Sequence, residues 1–160
     1  MAYETTEKVL FSTDAFGGFC ALEGGIFDDE LDMALYEDET LRYFANIVGR
    51  YSGPAQKAIA KVRALDLKII CPAHGPILRS NPRHIVDLYD KWSSHNTDEG
   101  IVVVYGSMYG NTKFMTDTIA RAACEAGVKD VIVHDASRSN LSYIVRDIWK
   151  YRGLVLGSCT

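Results

Sequence analysis

The sequence predicts an α/β protein in two parts, and two observations carry most of that prediction. From Ile101 onward the chain alternates strand-like and helix-like segments in the order βαβαβ, the half-unit of a doubly wound parallel sheet. Before Gly100, short apolar runs ending in Gly- and Pro-rich loops alternate with helical periodicities. A third observation bounds the reading. Hydrophobic residues make up 48% and charged residues 24%, the balance of a soluble globular protein.

In chain order, Met1 to Lys8 is polar and acidic, unlike a secretory leader. Val9-Leu10-Phe11-Ser12 reads as a short strand running into Thr13-Asp14-Ala15-Phe16-Gly17-Gly18, where paired glycines permit unusual backbone angles. Asp28 to Asp38 reads as acidic and irregular. From Glu39 the set Leu41, Phe44, Ala45 and Val48 predicts a helix stopping at Gly49. A second helix is expected from Pro54, with Ala58, Ile59, Val62 and Leu65 inward. Lys68 to Cys71 is a short buried strand, and Pro72-Ala73-His74-Gly75-Pro76 a stiff loop. Asn81-Pro82 opens a third helix with Ile85, Leu88, Tyr89 and Trp92 inward, and Ser93 to Gly100 is expected as a linker.

Ile101 to Tyr105 is a continuous β-branched run, as expected of a parallel strand covered on both faces. Met115, Ile119, Ala122, Ala123 and Ala126 mark a helix closed by Gly127. Val131 to Val133 is a strand, and Leu141, Ile144, Val145, Ile148 and Trp149 mark a helix ended by Gly153. Leu154 to Leu156 is the last strand. The expected strand order is 2-1-3, the start of the 2-1-3-4-5 order of a flavodoxin-like sheet.

Several functional classes are disfavoured. The formal net charge of -4 argues against nucleic-acid or membrane-surface partners held by bulk charge, and no apolar run approaches the roughly 20 residues of a bilayer span. The four cysteines, Cys20, Cys71, Cys124 and Cys159, are widely spaced, which fits a reducing cytoplasm better than a disulfide framework or a zinc knuckle.

The loop Gly106-Ser107-Met108-Tyr109-Gly110-Asn111-Thr112 lies between a strand and a helix at the switch point of strand order. Amides at a helix N-terminus carry partial positive charge and face a bound anion. The Ser107 and Thr112 hydroxyls add donors, Gly110 lets the backbone approach the ligand, and Asn111 supports the turn. The loop fits G-x-x-x-G-N-T, which resembles the FMN-phosphate signature of flavodoxins, so Ser107, Met108, Tyr109, Gly110, Asn111 and Thr112 are candidate FMN contacts. Ser158, Cys159 and Thr160 follow the next strand across the switch point, where a flavodoxin-like domain flanks the flavin ring.

Asp14 and His74 end strands beside rigid glycines and prolines, good positions for metal ligands. Taken alone, Asp14 reads more readily as a turn former and His74 as a structural histidine. His84, His95 and His134 read as ordinary helix, linker and strand-end residues.

Four motifs in order, Leu10-Phe11-Ser12-Thr13-Asp14-Ala15-Phe16-Gly17, Cys71-Pro72-Ala73-His74-Gly75-Pro76, Tyr89-Asp90-Lys91-Trp92 and Gly106 to Thr112, resemble the flavodiiron proteins (A-type flavoproteins). The resemblance implies a partial metallo-β-lactamase-like αββα domain over residues 1–95, a linker at 96–100, and a partial flavodoxin-like doubly wound sheet over 101–160. It further implies that Asp14 bridges two non-haem irons and His74 is a terminal ligand, a donor set suited to that metal. FMN would take electrons from a donor protein or reduced cofactor, and the diiron centre would reduce dioxygen to water, nitric oxide to nitrous oxide, or both. A homo-oligomer is implied too. Tyr43 is a candidate hydrogen-bond donor near the irons. The family's His-x-Glu-x-Asp-His motif and a further histidine belong before Asp14 and are not in this chain. The chain therefore reads as an internal fragment, inactive alone. Two other readings stay open: a flavin electron carrier without iron, and a zinc hydrolase of the same fold fused to a flavin domain.

Overall fold

The computed structural model describes residues 1–19 and 21–159, and they form two compact units, Met1–Asn96 and Thr97–Thr160. Each is α/β with its own sheet, in agreement with the expected class.

In the first unit the sheet order is β1-β2-β3. β2 (Val9–Thr13) pairs in parallel with β3 (Ile69–Pro72), with Leu10 opposite Ile70 and Thr13 opposite Pro72. β1 (Ala2–Glu4) adds an antiparallel edge inside the stretch read only as polar. The turn that returns it is made by Glu4, whose carboxylate accepts from the Thr6 and Glu7 amides at 2.7 and 2.6 Å.

Three helices pack with this sheet. α1 (Met33–Tyr43) begins inside the stretch expected to be irregular, because Asp32 caps it by accepting from the Ala34 amide at 3.1 Å. Gly49 does not stop the run. A π-helical turn over Phe44–Val48 and a 3-10 turn over Gly49–Tyr51 lead directly into α2 (Ser52–Arg63), so Pro54 sits in the first turn rather than opening the helix. α3 (Pro82–Ser93) starts at Pro82 as expected. The core is aromatic: Phe44, Tyr89 and Trp92 are buried, with Phe44 and Tyr89 ring centroids 5.0 Å apart.

In the second unit β4 (Asp98–Tyr105), β5 (Val131–Asp135) and β6 (Tyr151–Gly157) form a parallel sheet of order β5-β4-β6. That is the predicted 2-1-3 order. Val102 and Val103 are fully buried, one on each face of the central strand. Residues Asp98 to Gly100, expected as linker, open β4, with Asp98 opposite Tyr151. Gly153, expected to end a helix, lies inside β6: a Cβ there would stand 2.6 Å from the Ile101 side chain. α5 (Leu141–Lys150) therefore ends earlier, at Lys150.

α4 (Asn111–Glu125) forms as expected, but the apolar residues that mark it are not the ones it buries. Met115 and Ile119 are 63% and 41% exposed, whereas Thr116 is 2% exposed. Small side chains at Thr112 and Thr116, one turn apart, abut Gly157, where an added Cβ would meet their methyls at 3.0 and 2.9 Å. Close approach to the sheet selected the threonine face over the more apolar one. Among the described residues no helix is long and apolar enough to cross a membrane.

Candidate functional site

Asp14 and His74 come from loops that the parallel pairing of β2 and β3 places side by side. After β2 the backbone turns sharply: Thr13 and Phe16 have φ of 57° and 66°, and the Ser12 hydroxyl donates to the Ala15 carbonyl at 2.7 Å. The two loops are stitched by backbone hydrogen bonds from Ala73 N–H to Thr13 O (2.8 Å) and from Gly18 N–H to His74 O (3.3 Å). Gly17 permits the close approach, since a Cβ there would lie 2.9 Å from the His74 carbonyl oxygen. Gly75 turns the second loop at φ 85°.

The outcome is convergence of the two candidates. His74 Nε2 lies 3.7 Å from Asp14 Oδ1, with the side chains 56% and 69% exposed. This is too long for a hydrogen bond. It fits two donors of one metal ion, which at bond lengths of about 2.1 Å and wide bond angles lie roughly 3.0–3.7 Å apart. Among the described residues no group of three or more His, Cys, Asp or Glu could hold a metal ion.

Tyr43, at the end of α1, is buried, and its ring centroid is 5.9 Å from that of His74. Burial first, and the Asp14 carboxylate second, hold the Tyr43 phenol above its ordinary range. Deeper in, Tyr89 is held neutral still more firmly by burial, and its hydroxyl donates to the Gly17 carbonyl at 3.4 Å. Sequence reasoning did not single out Tyr89 for this, although its place on the inward face of the third helix was legible.

The loop Gly106 to Gly110 leaves β4 and enters α4 through Gly110, which is left-handed at φ 87°. The Ser107 hydroxyl accepts from the Gly110 amide at 3.0 Å. The helical ladder starts with Phe114 N–H to Gly110 O at 2.9 Å, so the Asn111, Thr112 and Lys113 amides precede it as free helix-end donors. Met108, Tyr109, Gly110 and Asn111 are exposed, and Ser107 and Thr112 are half-buried. Gly106 N–H donates to Gly157 O at 2.9 Å, tying this loop to the one carrying Ser158 and Cys159, both exposed. Thr160, the remaining flavin-side candidate, lies outside the described residues. The amide cradle, the left-handed glycine and the open mouth fit an anionic phosphate. What the sequence did not reveal is the packing of Thr116 against Gly157 beneath the loop; the i, i+4 threonines are the signal that could have found it.

The other histidines have structural partners. His84 pairs with Glu37 at 2.7 Å, and His134 bridges the buried Asp147 at 2.8 Å.

No protein-family model matches the chain. An anaerobic nitric oxide reductase flavorubredoxin of Escherichia coli is 32% identical over 164 residues, covering 100% of this chain and 34% of that protein. An uncharacterized protein of Methanocaldococcus jannaschii is 36% identical over 160 residues, covering 100% of this chain and 40% of that protein. Among solved structures, the rubredoxin oxygen:oxidoreductase of Desulfovibrio gigas superposes with a TM-score of 0.90 at 28% identity, over 96% of this chain and 39% of that one. The flavodiiron protein of Giardia intestinalis superposes with a TM-score of 0.91 at 26% identity, over 96% and 38%. By sequence and fold alike, the chain is a relative of the flavodiiron proteins and spans about a third of the length of the curated flavorubredoxin it matches.

Proposed function

We propose that this chain supplies part of a flavodiiron oxidoreductase, with residues 1–95 belonging to its metallo-β-lactamase-like domain and residues 101–160 to its flavodoxin-like domain. The observation that carries the proposal is the 3.7 Å approach of Asp14 to His74 across two interlocked loops. In this reading Asp14 and His74 are two of the ligands of a pair of non-haem irons. The amides and hydroxyls from Ser107 to Thr112 hold the FMN phosphate, and Ser158, Cys159 and Thr160 flank the flavin ring. When bound, the flavin and irons supply electron transfer and reduction of dioxygen to water, nitric oxide to nitrous oxide, or both. In this reading the Tyr43 hydroxyl, whose ring lies 5.9 Å from that of His74, donates a hydrogen bond near the irons. A donor protein or reduced cofactor, a homo-oligomeric assembly and a cytoplasmic setting complete the proposal.

The test is the iron and flavin content of the purified protein that carries this segment. Both groups are expected, with oxygen or nitric oxide consumed under reducing conditions. His74→Ala is expected to lower iron while leaving flavin in place. Flavin without iron would reduce the role to an electron carrier. Bound zinc with ester hydrolysis and no oxygen uptake would replace it with a hydrolase.

A further inference from the structure

α1 carries one stripe that runs past the loops of the Asp14–His74 pair. Glu37, Thr40 and Tyr43 stand three residues apart on one helix face. Glu37 meets His84 of α3 at 2.7 Å, and Tyr43 faces the His74 ring. Between them Thr40, buried, donates its hydroxyl to the Tyr36 carbonyl at 2.7 Å, which fixes its rotamer. That fixed side chain occupies the space that a side chain on Gly18 would need. A Cβ on Gly18 would lie 2.9 Å from Thr40 Oγ1 and 3.4 Å from Thr40 Cα. On its other side Gly18 meets the second loop: its N–H donates to His74 O at 3.3 Å, and a Cβ on Gly75 would lie 3.2 Å from Gly18 N. Gly18 thus has room for no side chain toward Thr40 and is hydrogen-bonded to the backbone of His74.

We infer that Thr40 is a positioning residue for His74, acting through the backbone of Gly18. Thr40 does not reach the Asp14–His74 pair itself. It sets how far the first loop can withdraw, and the Gly18 to His74 hydrogen bond carries that limit to the imidazole. Close-packed backbone transmits such displacements because it has no slack to absorb them. The consequence for metal binding rests on the ligand reading of Asp14 and His74; the consequence for the imidazole does not.

The test separates the two. In the full chain, with histidine rings labelled with nitrogen-15 and no metal present, the His74 resonances are identified by their loss in His74→Ala. Gly18→Ala is expected to move them, and Gly18→Ala combined with Thr40→Ala, which removes the 2.9 Å clash, to bring them back toward the parent positions. Thr40→Ala in the parent background is expected to move them, and Thr40→Ser, which keeps the hydroxyl, to leave them in place. This Thr40 pair decides the question if Gly18→Ala does not fold. A Thr40→Ala variant that loses stability while His74 stays at its parent positions overturns the inference, as does a double variant no closer to the parent than Gly18→Ala. Because this chain holds only part of the proposed ligand set, titration of the whole protein that carries this segment with Fe(II) alone then reads the metal side. Gly18→Ala is expected to weaken binding about tenfold or more, the range of losses when groups behind a ligand are disturbed. Restored imidazole positions with no Fe(II) binding even in the parent would leave Thr40 as a positioning residue and remove the ligand role of His74.

Discussion

Replacing Gly110 by alanine isolates what the left-handed backbone of the anion loop contributes. Gly110 has φ of 87° and no protein atom within 4 Å of where a Cβ would stand, so alanine meets no clash inside the protein and its effect on the loop is conformational. An L-residue held there costs about 1–2 kcal/mol. The loop is exposed from Met108 to Asn111, so it relaxes when no ligand holds it, and the cost appears in affinity. FMN should bind roughly 5–30-fold more weakly to Gly110→Ala, read from quenching of flavin fluorescence in a titration. Gly110→Asn should lose less, because asparagine tolerates this region. Gly106→Ala is the internal control: Gly106 also has open space around it but no positive φ, and its variant should bind as the parent does. Equal losses for Gly106→Ala and Gly110→Ala, or none for Gly110→Ala, would refute the cradle argument.

Three further outcomes are expected. Gly157→Ala places a Cβ 2.9 Å from the Thr116 methyl and should destabilise the second unit by about 1–3 kcal/mol in urea unfolding, with Thr116→Ser recovering part of the loss. Tyr43→Phe removes the phenol beside His74 and should lower turnover while iron content stays constant; unchanged turnover would end its role as donor. At Asp28, burial raises the carboxyl, but the Ser80 hydroxyl and the amides of Arg79, Ser80 and Asn81 outweigh it and hold the group below the usual 3.8. A lowered folded value means that its stabilisation is complete above pH 3.8 and is lost as pH falls through the folded value. Asp28→Asn should therefore cost about 1–3 kcal/mol at neutral pH and shed that difference from the parent in acid, measured by denaturant unfolding across pH.

The strands and the anion loop were legible because their signals are local. Ile101 to Tyr105 announces a strand covered on both faces, and Gly106 to Thr112 carries its turn and helix chemistry within seven residues. Helix boundaries were less so. Asp32 as a cap was hidden in an acidic run, and Gly49 lost to packing: Phe44 beside it is fully buried against Tyr89 and Trp92, which holds the chain helical through a π turn. The buried face of α4 was not legible because periodicity ranks side chains by hydrophobicity, whereas the face against Gly157 is set by the short side chains of Thr112 and Thr116.

By itself the sequence determined the α/β class, the strand order of the second unit and the chemistry available at Asp14, His74 and the Ser107–Thr112 loop. Only the tertiary structure decided that Asp14 and His74, sixty residues apart, stand 3.7 Å from one another. That distance depends on the parallel register of β2 and β3 and on backbone contacts at Gly17, Gly18 and Gly75. Hydrophobic pattern specifies which residues leave water, but register and close approach are settled by which backbones fit against each other, a relation no stretch of sequence contains alone.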